Sequence, residues 1–416
     1  MKNKNILQEG GHWRNWVGNQ DCVAAAKGLP LSEEELCEMV STATSMDMNV
    51  RCSGSGHSFT SVVPTSGLLL SLSEMKGINS IDHEKKRATV AAGTTINELG
   101  RHLKENNLSM INQGDIDTQA LAGAFSTGTH GTGARLPNLA SAIVGMKIVQ
   151  PNGDILTVDE SKPDLLRASR VSLGTLGIIS EMTLQLMDSY NLHERIWRED
   201  FDACMEMHDE LAEKHRHFGF FWCPTEKSRH CYCLPDTSAT SKTGRTADVC
   251  EMKVMDITDR PPMTAEFEKI AYSSDIYPIE YVPNFHELEY AVPVAHGKDA
   301  AKAVRKLILE KYPECYYPLE YRFTSGDDAW LSPFFEQDSV TVSVSGEPGT
   351  DYWNFLRDVH TILRGFGARP HWGKLHFLTQ KDVEEIYPKI NDFKKLRREL
   401  DPKGYFLNEH LSQLLK

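Results

Sequence analysis

The stretch Arg51-Cys-Ser-Gly-Ser-Gly-His-Ser-Phe-Thr60 decides how this chain is read. Two glycines alternate with serines, and His57 follows directly. Glycines let a backbone approach a ligand closely and present successive N–H groups to an anion. A ring nitrogen then stands beside whatever the loop holds. A surface turn has the same composition, so the loop alone does not decide between the two. Two more segments of this texture lie in the same half. They are Leu121-Ala-Gly-Ala-Phe-Ser-Thr-Gly-Thr-His-Gly-Thr-Gly133 and Ser172-Leu-Gly-Thr-Leu-Gly-Ile-Ile-Ser180. Three such segments, each beside strand-like sequence, fit a large phosphate-bearing cofactor lying across several loops.

The flanking sequence supports that arrangement. Ser32 with Glu35 reads as a capping box opening a helix that runs to about Thr44. Val50 to Cys52, Gly67 to Leu72, Arg87 to Ala92 and Ile143 to Val149 read as strands. Thr95 to Lys104 carries apolar residues at helical spacing. After about Leu186 the texture shifts to aromatic-rich runs, Phe218 to Cys223 and Glu314 to Phe323. Lys298 to Tyr312 reads as an amphipathic helix, and Asp236 to Thr246 as an exposed loop. The shift near residue 187 divides a nucleotide-binding domain from a mixed α+β domain.

The chain has 416 residues, enough for two domains. Its 40% hydrophobic and 25% charged composition is that of a globular protein. No apolar run of about 18 residues exists, so no membrane-spanning helix is expected. The N-terminus lacks an apolar core of the secretory type. Nine scattered cysteines fit reduced thiols, and a cytoplasmic location is expected. A net charge of −13 argues against nucleic acid or an anionic membrane as partner. Cys231 and Cys233 form a C-x-C beside Cys223 and His230, without zinc spacing. They read as strand residues, and no metal is expected. There is no G-x-G-x-x-G after the first strand, no Walker A and no H-E-x-x-H, which disfavours a Rossmann site and a P-loop.

Further motifs follow in order. They are Trp13-Arg-Asn-Trp16, Asn112-Gln-Gly-Asp-Ile116, Glu287-Leu-Glu-Tyr-Ala-Val-Pro293, Arg369-Pro-His-Trp-Gly-Lys374 and Phe406-Leu-Asn408. With the glycine segments they span nearly the whole chain. Together they resemble the flavin oxidoreductases related to vanillyl-alcohol oxidase, specifically the sugar-1,4-lactone and alditol oxidases. The resemblance implies an α+β fold of two domains. An FAD-binding domain would span 1–187, completed by 377–416, and a substrate-binding cap domain with a mixed sheet would span 188–376.

It also implies cofactor contacts. FAD would be joined covalently through His57 to its 8α-methyl group, with Ser53, Gly54, Ser55, Gly56 and Ser58 holding the pyrophosphate. Ala122, Gly123, Ser126, Thr127, Gly128, His130, Gly131, Gly174, Gly177 and Ile178 would complete the cradle, with a structural role expected for His130. Asn112 to Gly123 contains no cysteine, so a second, cysteinyl linkage is not expected.

Glu320 and Arg322 are one residue apart, so a strand would present both on one face. A plain surface ion pair, worth about 0–1 kcal/mol, has the same spacing. The resemblance places the pair over the flavin with Lys374, as catalytic residues that orient a hydroxyl and stabilise an alkoxide. The base is left open between Lys374, its pKa depressed by Arg322, and His371, which also counts among the substrate contacts. Trp372 reads as a packing wall. Asp115 stands where the alditol oxidases carry a substrate-contacting serine, which favours a lactone or modified sugar. Gly114 stands where a small residue opens the flavin to oxygen.

The expected reaction is FAD-dependent oxidation of a carbohydrate CH–OH group, that of an aldono-1,4-lactone, with O2 as acceptor and H2O2 as product. The alternatives are an alditol or amino-sugar substrate, a dehydrogenase with another acceptor, and a protein that merely keeps a flavin or sugar.

Overall fold

A computed structural model describes residues 6–416. Two hydrophobic cores organise them. The first lies between two small sheets and their helices. One sheet has the order Gln8–Arg14, Asp21–Gly28, Leu68–Ser71, Val50–Ser53. Its first pair is antiparallel and the others parallel. The second is antiparallel, ordered Ile78–Asp82, Arg87–Ala91, Ile178–Gln185, Ile143–Val149, Ile155–Asp159. Helix Glu33–Ser45 contributes Leu36 and Val40 to this core, and helix Ile96–Glu105 contributes Leu99 and Leu103. The chain's last helices return to it through Val383, Phe393, Leu411 and Leu415.

The N-terminal caps differ in detail. Thr95 and Glu98 form a reciprocal capping box. At Ser32 the hydroxyl accepts from the Glu35 N–H, but the Glu35 carboxylate accepts from Leu31 instead. The expected box there is half formed.

The second core lies under a nine-stranded sheet. Its order is Met263–Thr264, Glu268–Tyr272, Asn191–Asp200, Val249–Thr258, His217–Cys223, Leu319–Thr324, Ser339–Gly346, His286–Pro293, Arg369–Pro370. The sheet is antiparallel in each of these pairings, not mixed. The reason is a twice-used topology. Helix Phe201–Lys214 links two strands, and Val249–Thr258 then inserts between them, antiparallel to both. Helix Gly297–Lys311 does the same for His286–Pro293 and Leu319–Thr324, with Ser339–Gly346 inserted.

Alternation decides what each face of this sheet carries. Leu319, Tyr321, Phe323, Leu288, Tyr290, Val292, Val340, Val342 and Val344 all lie in the second core. The residues between them include Glu287, Glu289, Glu320, Arg322, Thr341 and Ser343, on the opposite face. That face is polar yet covered: Glu287, Glu289 and Glu320 are only 6%, 4% and 7% exposed. A polar sheet face facing the first domain rather than water is what makes a site possible.

Two segments depart from the sequence reading. Cys231 and Cys233 are not in a strand. They follow the short helical turn Glu226–His230, and Tyr232 and Cys233 both adopt positive φ. In the run from Glu314, the strand begins only at Leu319, and Tyr316 and Tyr317 stack on one another in the connection before it. Residues Ala329 to Leu331, Phe335 and Trp372 belong to the first core although they lie between 188 and 376. Trp372 is buried, stacks on Tyr387 and donates its indole N–H to Leu331. No helix among the described residues is long and apolar enough to cross a membrane.

Candidate active site

A cavity of about 290 Å³ runs along the first domain. Ser53, Gly54, Ser55, Gly56, His57, Ser58, Ala122, Gly123, Ser126, Thr127, Gly174, Gly177 and Ile178 line it. The three glycine segments thus surround one space. Gly56, at φ +72°, and Gly177, at φ +136°, supply conformations that other residues rarely adopt. Gly128 and Gly131 do not line the cavity. A Cβ at Gly131 would strike the Gln113 carbonyl at 2.3 Å, so that glycine permits a close chain crossing.

Arg51 explains how the segments stay together. Its guanidinium is buried and donates to the carbonyls of Val62, Leu173, Gly174 and Phe406. One side chain therefore ties the first and third glycine segments to the C-terminal segment. Burial without a carboxylate partner brings its pKa down to about 10. It was not singled out from the sequence, although it opens the deciding stretch.

His57 packs against Trp16, with ring centroids 5.1 Å apart. Its Nε2 lies 3.0 Å from the Thr118 hydroxyl, while Nδ1 is buried without a hydrogen-bond partner. Burial, aided by the Lys374 charge, pushes its pKa down to about 4. A neutral ring with one orphaned nitrogen in a large cavity fits a group that bonds to that nitrogen. The residues present therefore fit FAD.

A second, polar cavity of about 50 Å³ adjoins the first, and His371 and Lys374 line both. Gly114, Asp115, His130, Glu320 and Arg322 line it too. Gly114 and His130 thus line the smaller, polar cavity rather than the main one. Tyr281, Phe285, Glu287 and Glu289 join them, and these four were missed in the sequence. The signal for two of them was present, since Glu287-Leu-Glu289 repeats the one-residue spacing of Glu320-Tyr-Arg322. The register puts Ser343 opposite both Glu320 and Glu289, which brings the two carboxylates to one patch of the sheet.

The charges pair closely. Arg322 donates through Nε to Glu320 at 2.7 Å and through a terminal nitrogen to Asp115 at 2.7 Å. The Tyr281 hydroxyl donates to Asp115 at 3.0 Å. Lys374 lines the same cavity as Arg322. It pairs with Glu287, and its ammonium lies 5.2 Å from the Phe59 ring centre. His130 bridges the Gly131 carbonyl at 2.8 Å and the Glu289 carboxylate at 2.9 Å.

Burial drives up the Glu320 carboxyl; Arg322 opposes that, Asp115 and Glu287 add to it, and the result is about 7. Burial acts on Asp115 in the same direction, but Arg322, Lys253 and the Tyr281 bond outweigh it and hold that carboxyl below its usual range. Two acids share one guanidinium, and Glu320 is the one whose carboxyl is raised. Burial also raises Glu289, yet His130 and Lys374 bring it well below the usual range.

His371 is pushed by burial down to about 3. Its Nδ1 accepts the Gly373 N–H at 3.0 Å, so the ring proton resides on Nε2. His371 is a neutral donor and is not arranged as a base. Of the two base candidates, Lys374 is the one paired with a carboxylate, Glu287.

Comparison with known proteins bears on this arrangement. Residues 24–159 match the FAD binding domain family, and residues 263–414 match the D-arabinono-1,4-lactone oxidase family. The chain is 31% identical to the L-gulono-1,4-lactone dehydrogenase of Mycobacterium tuberculosis, over 97% of this chain and 99% of that one. It is 29% identical to the L-gulonolactone oxidase of Mus musculus, over 98% of each. It is 27% identical to the alditol oxidase of a Streptomyces species, over 96% and 98%. The fold is shared with a solvent-stable cholesterol oxidase, at a TM-score of 0.83, 15% identity and full coverage of both chains. It is also shared with the 6-hydroxy-D-nicotine oxidase of Arthrobacter nicotinovorans, at 0.71 and 14%, over 97% and 94%.

Proposed function

Because this chain belongs to the family of the sugar-1,4-lactone oxidases and dehydrogenases, we propose that it oxidises a CH–OH group of an aldono-1,4-lactone of the gulono, galactono or arabinono type. The observation that supports this most is the buried polar patch of Asp115, Glu320, Arg322, Glu287 and Lys374 where the cofactor cavity ends. Such a patch can orient a polyhydroxylated ring and take a proton from it.

FAD supplies the hydride acceptor when bound. The glycine loop around Gly54 and Gly56 would hold its pyrophosphate, and His57, whose Nδ1 has no hydrogen-bond partner, would carry the covalent link to the flavin 8α-methyl group. Glu320 accepts the hydroxyl proton, its carboxyl poised near neutrality. Arg322 and Lys374 stabilise the developing negative charge from either side. The Nε2–H of His371 donates a hydrogen bond to a substrate oxygen.

Molecular oxygen is the proposed electron acceptor. Gly114 supports it, since a Cβ there would come within 3.1 Å of the His130 carbonyl and narrow the passage. Some relatives are named dehydrogenases and others oxidases, so the acceptor varies within the family.

The test is an anaerobic screen of the purified protein with lactones and alditols, followed by admission of air. Lactones bleach the flavin and air restores its colour. Bleaching by alditols alone overturns the lactone reading, and a flavin that stays reduced in air overturns the oxygen reading.

A further inference from the structure

The polar cavity is lined by four carboxyl groups, Asp115, Glu287, Glu289 and Glu320, against two permanent cations, Arg322 and Lys374, and both cations are already engaged. Arg322 is shared by Asp115 and Glu320, Lys374 serves Glu287, and His130 serves Glu289. His371 is neutral by virtue of its burial. Glu287, Glu289 and Glu320 bring carboxylate oxygens within 4.8 Å of one another.

We propose that this pocket selects by charge, admitting the closed, uncharged lactone and rejecting the ring-opened carboxylate of the same sugar, with Asp115 as the determinant. The proposal rests on the lactone reading above. A buried anion needs a counter-ion, and one without it is strongly disfavoured. An incoming carboxylate here would meet more carboxyl groups than permanent cations, and no cation lacking a carboxylate partner among the described lining residues. Hydroxyl groups face the opposite situation. Each can donate to a fixed carboxylate oxygen, and the lactone carbonyl needs only the His371 donor.

Asp115 is placed to set this rule. It reaches the pocket from the loop before the second glycine segment, and it takes one arm of the Arg322 fork at 2.7 Å. Substituting an amide of the same shape removes one negative charge and leaves that arm only a neutral acceptor, which an incoming carboxylate, the group a guanidinium binds best, can displace.

The experiment follows anaerobic bleaching of the flavin in wild type and Asp115→Asn. It uses a 1,4-lactone with its sodium aldonate as competitor, and xylitol with xylonate as a second pair. In wild type the aldonate binds at least 100-fold more weakly than the lactone. In Asp115→Asn, checked for retained flavin and circular dichroism, the gap narrows at least tenfold. An aldonate that competes within threefold of the lactone in wild type overturns the proposal. So does an unchanged gap in the folded variant, or failure of both neutral sugars to bind. A lactone that neither binds nor bleaches defeats the lactone reading instead, and xylitol against xylonate then judges the charge rule. If Asp115→Asn does not fold, Asp115→Ser takes its place and the wild-type comparison stands by itself.

Discussion

The Arg322 guanidinium lies 2.7 Å from the Asp115 carboxylate, across 207 residues of sequence. One partner comes from a loop of the first domain and the other from the centre of the large sheet. The contact closes the polar cavity and leaves Glu320 to compete for the same guanidinium. The acid–base state of the site therefore depends on how the two domains meet.

Glu320 provides a pH signature. Its carboxyl is raised to about 7, so the ionised, proton-accepting form gains ground as pH rises through neutrality. The expected kcat/KM climbs across pH 6–8 and levels off above. In Glu320→Gln that limb disappears and the rate falls by roughly 10²–10⁴. A retained limb in the variant assigns the proton to another group.

The cofactor link gives a direct readout. Acid-precipitated wild type stays yellow, and His57→Ala releases its flavin into the supernatant. Thr118 holds Nε2 at 3.0 Å and is itself held by the Ser55 hydroxyl on its carbonyl at 2.6 Å. Thr118→Val should therefore lower the covalent fraction, read as flavin fluorescence in a denaturing gel, and Thr118→Ser should restore it. Equal covalent fractions in all three proteins would show that the hydroxyl is not needed.

Lys374 and Glu287 form a pair that can be separated genetically. Lys374→Met removes a cation facing the reacting centre and lowers kcat by about 10²-fold. Glu287→Gln leaves the cation but loosens its placement, so a smaller loss is expected. If the glutamate variant is as impaired as the lysine variant, Glu287 acts on the substrate itself.

Buried histidines set the acid limit of stability. Burial lowers His217 to about 4 and His371 and His376 to about 3. Their folded pKa values lie below the unfolded value near 6.5, so the folded state binds fewer protons. Stability is fully present above pH 6.5 and is lost as pH falls through the window toward 3–4. Each pH unit in that window costs about 1.4 kcal/mol per histidine. Melting temperatures between pH 7.5 and 4.5 test this, and a flat profile contradicts it.

Gly114 addresses the acceptor. Gly114→Val places atoms against the His130 carbonyl, so reoxidation of the reduced flavin by air should slow at least tenfold with anaerobic bleaching little changed. Unchanged reoxidation removes Gly114 from the oxygen path.

Local chemistry was legible residue by residue. Strand Ile143–Val149 matches its expected limits because apolar, β-branched sequence and a Pro-Asn-Gly turn point the same way. The helix read from Lys298 spans Gly297–Lys311, where spacing alone suffices. The Cys231 region failed because a tight turn with two positive-φ residues has no marker glycine. The insertion of Ser339–Gly346 between two earlier strands was equally hidden, since register is not written in any one strand.

By itself the sequence determined the glycine cradle, the histidine within it and the E-x-R pair, because short-range spacing dictates backbone conformation and which face a strand residue takes. Only the tertiary structure decided that Glu287 and Glu289 share that face, that Lys374 pairs with Glu287, and that Asp115 competes with Glu320 for Arg322. Those are contacts between distant segments around one largely buried cavity. Burial and charge neighbours, which the sequence does not order in space, set their protonation.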